Sequence, residues 1–462
     1  MVPLLLKCGW FNKAVEILSF NKKTKVKVQN FILTLVAMFA SGIKRIWHLD
    51  NIEDIGFGLL TGMFRVLKSA TILKLSLLID KDKIEQFEES TREIPVCQSD
   101  DVPANISIDE HVIPEWTNEI KREKTKVPTR GRFMKAIKAI YSFNLDSNRF
   151  ISLTVKGGHG VLSTHLPGII DKLKQTILGK LKLYFDRGGY DGALFKDLIE
   201  DDAIVSFITL ARGYPTSKKQ WESIPAEEFK SLKGLPLVSR KYSEGNWVYA
   251  ESKTKIRNCP YPIRSVVLKD LDAKDEKKKW HVLFTKDNYT HPLCIMNQYS
   301  VHWRHENGYK VLKGDLFVDN MPKGYVIEKS NGVKTAVNRP ERTLLLGWLK
   351  GLTFNLIKDF AELLGDKYRK CTAGTIIRLF LRRPGYIKIK DDKLIVNLLP
   401  FKEQDALVPY IDNINQQNIR IPWLNELVLK FELGDITSFH YGNINKFRTL
   451  VKRNCCAREG SI

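Results

Sequence analysis

Apolar residues recur at helical spacing from residue 1 to about 80, as in Phe31, Leu35, Met38 and Phe39, and strand-type alternation is absent there. The pattern predicts a helical N-terminal domain over 1–84. Within it, Ile43 to Leu49 and Phe57 to Leu67 precede Ser69, which would cap a helix from Ala70 to Leu78. Two readings fit: a helix-turn-helix that turns Lys68 and Lys74 toward phosphate, or a small helical bundle with solvated lysines. Residues 85–104 are acidic and polar and predict a linker.

After Pro103 the pattern changes to strand-like segments interleaved with helices. Strands are expected at Ile106 to Val112, Lys135 to Phe143 and Phe150 to Lys156. A helix from Pro167 to Leu178 then leads to the strand Leu181 to Phe185, the helix Ala193 to Glu200 and the strand Ile204 to Leu210. Between 212 and 279 lies a stretch rich in Lys, Tyr, Trp and Pro, which predicts an inserted β-subdomain. His281 to Thr285 resumes as a strand, and Pro292 to Phe317 reads as a long helix. Further on, Thr343 to Leu364 is an apolar helix, and Gly385 to Leu399 alternates around Asp391 and Asp392 as a hairpin. The fold class is therefore α/β. Three strands, helix, strand, helix, strand is the order of a ribonuclease H-like domain, here over 105–211 and 280–370 around the insertion, with a mixed C-terminal region over 371–462.

Composition changes one part of this picture. At 462 residues with 43% hydrophobic and 27% charged residues, the chain has ordinary globular composition and enough length for large cores. The charge is the exception: 74 Lys and Arg against 52 Asp and Glu leave +22, a field that favours a polyanion, nucleic acid before membrane surface. Seven cysteines stand without a Cys-x-x-Cys pair or zinc-like spacing and read as reduced intracellular thiols. The apolar run Phe31 to Ala40 is too short to cross a bilayer, the run Leu344 to Ile357 carries Lys350, and Lys7 and Cys8 interrupt the apolar start. A cytoplasmic, DNA-associated protein is expected.

Candidate chemistry rests on acids. Asp109 interrupts the apolar strand Ile106-Ser107-Ile108, and Asp186 ends Leu183-Tyr184-Phe185 before Arg187-Gly188-Gly189, where the chain must turn. Asp186 also suits an ordinary Asx-turn, and Asp191 is its neighbour and rival. Tyr299, His302, Glu306 and Lys313 are spaced 3, 4 and 7 apart and fall within roughly 60° of one helical face. An aromatic hydroxyl, an imidazole, a carboxylate and an ammonium share that face, against the plainer reading of a solvated stripe. Three carboxylates are hard oxygen donors suited to Mg²⁺ or Mn²⁺. No Ser-His-Asp, Cys-His or phosphate-cradling glycine pattern competes.

The motif Tyr299-x2-His302-x3-Glu306-x6-Lys313, with Tyr299-Ser300-Val301-His302-Trp303-Arg304-His305-Glu306 around it, resembles the DDE transposases of bacterial insertion sequences, in the subgroup marked by Tyr-x2-Arg-x3-Glu-x6-Lys. His302 stands where that family usually has Arg. The resemblance spans roughly 100 to 320. It implies Asp109, Asp186 and Glu306 as catalytic ligands of two Mg²⁺ or Mn²⁺ ions. It further implies DNA-backbone contacts at Tyr299, His302 and Lys313, and a base-stacking role for Trp280. A core anchor at the strand's start is the plainer reading of Trp280. The implied partners are transposon terminal inverted repeats and target DNA, with a homodimer in the synaptic complex and dimerisation through the C-terminal region.

Basic segments would extend the grip on DNA. Lys121 to Lys138 holds eight basic residues, including Arg130 and Arg132 in a Pro-Thr-Arg-Gly loop, against the one acid Glu123. Lys277 to Lys279 and Asn21 to Lys27 are further clusters. Two rivals to the transposase remain from sequence: a structure-specific nuclease with the same metal site, and a DNA-binding derivative without turnover, to which His302 points.

Overall fold

The structure is a computed structural model that describes residues 1–92, 102–115, 123–158, 160–177, 179–276, 278–301, 325–330 and 333–434. The chain divides into two compact units. One is drawn from residues within 92–309 and 329–336, the other from the remaining N-terminal and C-terminal segments.

The first unit is built on a ten-stranded sheet. Its strands are β1 (Ala104–Pro114), β2 (Lys124–Val127), β3 (Arg132–Asn144), β4 (Arg149–Gly157), β5 (Leu181–Phe185) and β6 (Ile204–Leu210). They are followed by β7 (Lys230–Ser231), β8 (Trp247–Thr254), β9 (Ile263–Asp270) and β10 (Trp280–Thr285). The order is β2-β3-β1-β5-β6-β10-β9-β8-β7, with β4 also on β3. β1, β5 and β6 run parallel, and β3 runs antiparallel to both β1 and β4.

A parallel neighbour requires a crossover rather than a hairpin. The helix Leu162–Thr176 leads into β5, and the helix Gly192–Glu200 carries the chain from β5 to β6. In the first helix Leu162, Leu166, Ile169, Ile170 and Leu173 are buried, a stripe at helical spacing. That stripe explains why the helix starts at Leu162 and not at the expected Pro167: Pro167 forfeits one backbone hydrogen bond, and the apolar turn before it outweighs the loss. Alternation along the strands sends Ile106, Ile108, Leu183, Phe185, Phe207 and Phe284 to the core on one face. It sends Tyr184, Ile208, Leu268 and Leu283 to the core on the other. Phe195 and Phe207 stack at 5.2 Å between ring centroids. Each fully buried ring of this kind contributes about 2–3 kcal/mol.

The 212–279 stretch departs from expectation. Its strands β8 and β9 form no separate β-subdomain; they add to the open edge of β10 and continue the main sheet. The alternating runs are the reason, because β9 feeds Ile263 and Val267 to one core and Val266 and Leu268 to the other.

The second unit joins segments expected to be separate. Trp423 donates its indole N–H to the Leu60 carbonyl at 2.9 Å and meets Phe11 edge-on at 5.5 Å, so residues of 1–84 and 371–462 share one body. The helices Val28–Ala40 and Pro340–Leu363 are buried on most sides. The expected linker is partly helix: Lys81–Ser90 buries Ile84 and Phe87, two anchors at i, i+3, and Lys13 holds its last carbonyl at 2.8 Å. The rest of that linker, 93–101, lies outside the described residues.

The helix-turn-helix reading fails on length. The relevant elements are a 3₁₀ turn Ile46–Asn51 and helices Ile55–Leu60 and Ser69–Leu75, none longer than 7 residues. Ser69 is not the N-cap: its backbone N–H and its hydroxyl both donate to Asp50, and Lys68 donates to the Asp50 carbonyl at 2.8 Å. The hairpin formed by Gly385–Lys390 and Lys393–Leu398 is present as expected, with Asp391 and Asp392 at φ 48° and 55°, the left-handed pair a two-residue hairpin requires.

Among the described residues no helix is long and apolar enough to cross a membrane.

Candidate active site

The parallel register of β1 on β5 runs from Ala104 opposite Leu181 to Ile108 opposite Phe185. One step further on each strand stand Asp109 and Asp186. Neighbouring strands lie about 4.8 Å apart, so the two acids sit level on adjacent strands where this pairing ends. Side-chain alternation puts them on the same face. Ile108 and Phe185 belong to one core, Tyr184 belongs to the other, and Asp186 keeps an extended backbone at φ −76° and ψ 178°. Neither acid is on the face that holds Ile106, Ile108 and Phe185.

Asp186 is fixed from both ends. Its carboxylate accepts the Gly188 N–H at 2.7 Å, and its backbone carbonyl accepts the Thr209 hydroxyl at 3.0 Å. The Asx-type turn foreseen for this residue is thus real, and it orients the carboxylate at the strand's end. Burial pushes the Asp186 carboxyl above the usual carboxylate range, while the Gly188 N–H and the charges of Arg187, Arg212 and Lys138 pull the other way without prevailing. Asp191 has a plainer job: it caps the helix Gly192–Glu200 through the Leu194 N–H at 3.0 Å.

Over the same face lie the helical residues 292–301. Ile295, Met296 and Tyr299 pack on the core with Tyr184 and Leu283, and Lys182 of β5 donates to Gln298 at 2.7 Å. A cleft of about 600 Å³ opens between this helix and the strand ends, with Asp186, Arg187, Lys241, Tyr242, His281 and Tyr299 on its walls. Arg187, Arg240 and Lys241 make it cationic, so it attracts anions of nucleotide size. The Tyr242 hydroxyl and His281 Nδ1 are hydrogen-bonded at 3.1 Å, and the Lys241 ammonium lies 4.7 Å from the Trp247 ring centroid.

Burial first, then the charges of Lys241 and Arg187, lower the His281 pKa to about 4, which keeps its imidazole neutral at physiological pH. Because the folded value lies below the unfolded value near 6.5, the contribution is complete above pH 6.5 and is lost as pH falls from there toward 4. A shift of this size corresponds to about 3 kcal/mol. Chemical denaturation at a series of pH values should show this loss in the parent protein and a much flatter profile in His281→Gln.

Asp109, Asp186 and Tyr299 are the foreseen site residues that the fold brings to one face. Trp280 points to the opposite core, where it packs on Phe229 with the Lys269 ammonium 5.4 Å from its ring centroid, the environment of a core anchor. Arg130 and Arg132 lie on the exposed β2–β3 ribbon. Glu306, His302 and Lys313 lie outside the described residues. Among the described residues no group of three or more His, Cys, Asp and Glu is placed to hold a metal. Two further corrections concern the foreseen basic runs. Lys138 is buried, not a surface contact, donating to Glu110 at 2.8 Å and to the Gly160 carbonyl at 2.7 Å. Lys279 pairs with Glu276 at 2.7 Å. Sequence reasoning missed Arg240, Lys241, Tyr242 and His281 as cleft residues, because they converge only when β8 and β9 join the sheet beside β10.

No family model matches the chain, and no curated protein matches it. Among solved structures, a piggyBac transposase synaptic complex with hairpin DNA superposes over 81% of this chain and 78% of that one, at 12% identity and a TM-score of 0.43. The endonuclease V of Bacillus subtilis covers 48% of this chain and 82% of that one, at 15% identity and a TM-score of 0.19.

Proposed function

We propose that this chain is a DNA-processing phosphoryl-transfer enzyme, a DDE-type transposase that cuts at transposon ends and joins the 3′-hydroxyl to target DNA. The observation that carries the reading is the level placement of Asp109 and Asp186 on one face, one step past the end of the parallel β1–β5 pairing, with Asp186 on the wall of a cationic cleft. The order β4-β3-β1-β5-β6, with three antiparallel and then parallel strands, supports a ribonuclease H-like core.

The donor set fits Mg²⁺ or Mn²⁺. Asp186 is a carboxylate made uncomfortable by burial, and a divalent cation beside it and Asp109 would relieve that cost. Glu306, seven residues beyond Tyr299 in the sequence, would be the third ligand. A bound ion pair would supply Lewis acidity at the phosphorus and lower the pKa of the attacking water or hydroxyl.

The chain's own residues do the rest. Arg187, Arg240 and Lys241 hold phosphate oxygens in the cleft, and Tyr299 stands on its wall to position the backbone, a role that the sequence motif extends to His302 and Lys313. Gly188 and Thr209 hold Asp186 so that its carboxylate need not reorganise during the reaction.

The test is incubation of the protein with Mg²⁺ or Mn²⁺ and a plasmid bearing the sequences that flank its gene. Cleavage that leaves 3′-hydroxyl ends, followed by joined products, is expected. Cleavage without joining would reduce the reading to a nuclease, and inertness with both metals would overturn it.

A further inference from the structure

We infer that the β2–β3 ribbon is a nucleobase-stacking element whose Phe133 inserts against an unpaired or unstacked base while its lysines hold the phosphates on either side. The inference rests on DNA being the substrate, as proposed above, and assigns how a second part of the chain engages it.

The register defines the ribbon's two faces. Lys124 pairs with Lys135, Thr125 with Met134, Lys126 with Phe133 and Val127 with Arg132. Alternate pairs share a face. Val127 is fully buried and Thr125 and Met134 are half-buried, so their face turns to the protein, with Arg132 exposed at its tip end. The other face carries Lys124, Lys126, Phe133 and Lys135, with the Phe133 side of the pair 68% exposed. Lys124 and Lys126 are exposed on the same face as the Phe133 ring, which is held out into water. Gly131, at φ 63°, lets the tip turn tightly after Pro128–Arg130.

The ribbon's place in the sheet gives it a reach. β1 ends its pairing at Pro114 opposite Ala136, and β3 residues 132–135 continue past that point with β2 as partner. The extension leaves the sheet in the direction in which β1 runs beyond Asp109. Asp109 is opposite Tyr141, eight residues along β3 from Phe133, a distance of about 27 Å along the strand. A nucleic acid lying along the direction of β3 would meet the acids at one point and the ring several nucleotides away. A base offers any aromatic ring a stacking face without regard to sequence. A membrane-binding ribbon would present several apolar side chains in place of a single ring among ammonium groups.

The test is equilibrium binding to an oligothymidylate single strand in EDTA, so that no cleavage intervenes. Phe133→Ala and Phe133→Leu are expected to weaken binding by about five- to a hundredfold, and Phe133→Trp to retain it. The side chain is exposed, so these variants keep their fold, which the thermal transition verifies. Parent-like binding by Phe133→Leu would overturn the inference. So would loss of binding to phosphatidylserine vesicles in Phe133→Ala with oligonucleotide binding intact, which would make the ribbon a membrane contact. Cleavage by the parent with unaltered binding in the Phe133 variants would count against the ribbon alone. Phe133-dependent binding by a protein that cuts nothing would count against the catalytic reading alone.

Discussion

Asp186→Asn is expected to lower Mg²⁺-dependent DNA cleavage by about a thousandfold or more while leaving the protein folded. Loss of a group that merely orients a metal ligand costs about ten- to a hundredfold, and loss of the ligand itself costs more. Asparagine keeps the acceptor for the Gly188 N–H but removes the charge. Because burial raises the Asp186 pKa, the ionised carboxylate carries a stability cost at neutral pH that the amide does not. The thermal midpoint should therefore hold or rise as activity disappears, an outcome that loss of fold cannot imitate. Asp109→Ala should lose cleavage to a similar degree. DNA affinity measured in EDTA should stay within about twofold in both variants, since phosphate contacts come from cations elsewhere. Parent-like cleavage by either variant would remove that residue from the site.

Binding of duplex DNA should be steeply salt-dependent. With +22 overall, three cations in the cleft and the lysines and arginines of the β2–β3 ribbon, six to ten phosphate contacts would be engaged at roughly 0.9 counterion released each. Affinity should then fall about 10³- to 10⁵-fold between 50 and 200 mM salt. Fluorescence anisotropy across a salt series measures the slope directly. A shallow slope, equivalent to about one or two contacts, would mean that the positive charge is spent on internal ion pairs, as it is at Lys138 with Glu110.

Much of the first unit's framework was legible along the chain. Leu181 to Phe185 and Ile204 to Leu210 are mostly apolar runs, interrupted by Lys182 in the first and Ser206 and Thr209 in the second, and both strands are found at those limits. Asp109 and Asp186 were visible because a carboxylate at the end of an apolar run needs a reason. What the pattern did not convey was their adjacency, which depends on β1 and β5 being parallel neighbours. The cleft was hidden for the same kind of reason. Lys241 and Tyr242 belong to a stretch whose alternation suggested a separate subdomain, and only pairing of β9 with β10 brings them beside His281 and Asp186. Local charge misled at Lys138, where a basic run suggested solvent but a cross-strand carboxylate holds the ammonium inside. At Ser69 a capping residue was read from type alone, whereas a distant acid, Asp50, supplies the acceptor.

The most direct test of the metal-site proposal is a crystal structure grown with Mn²⁺, read by its anomalous signal. The account predicts Mn²⁺ within about 2.0–2.4 Å of carboxylate oxygens of both Asp109 and Asp186, with Glu306 as a further ligand. Manganese bound elsewhere, with these carboxylates uncoordinated at saturating metal, would contradict it.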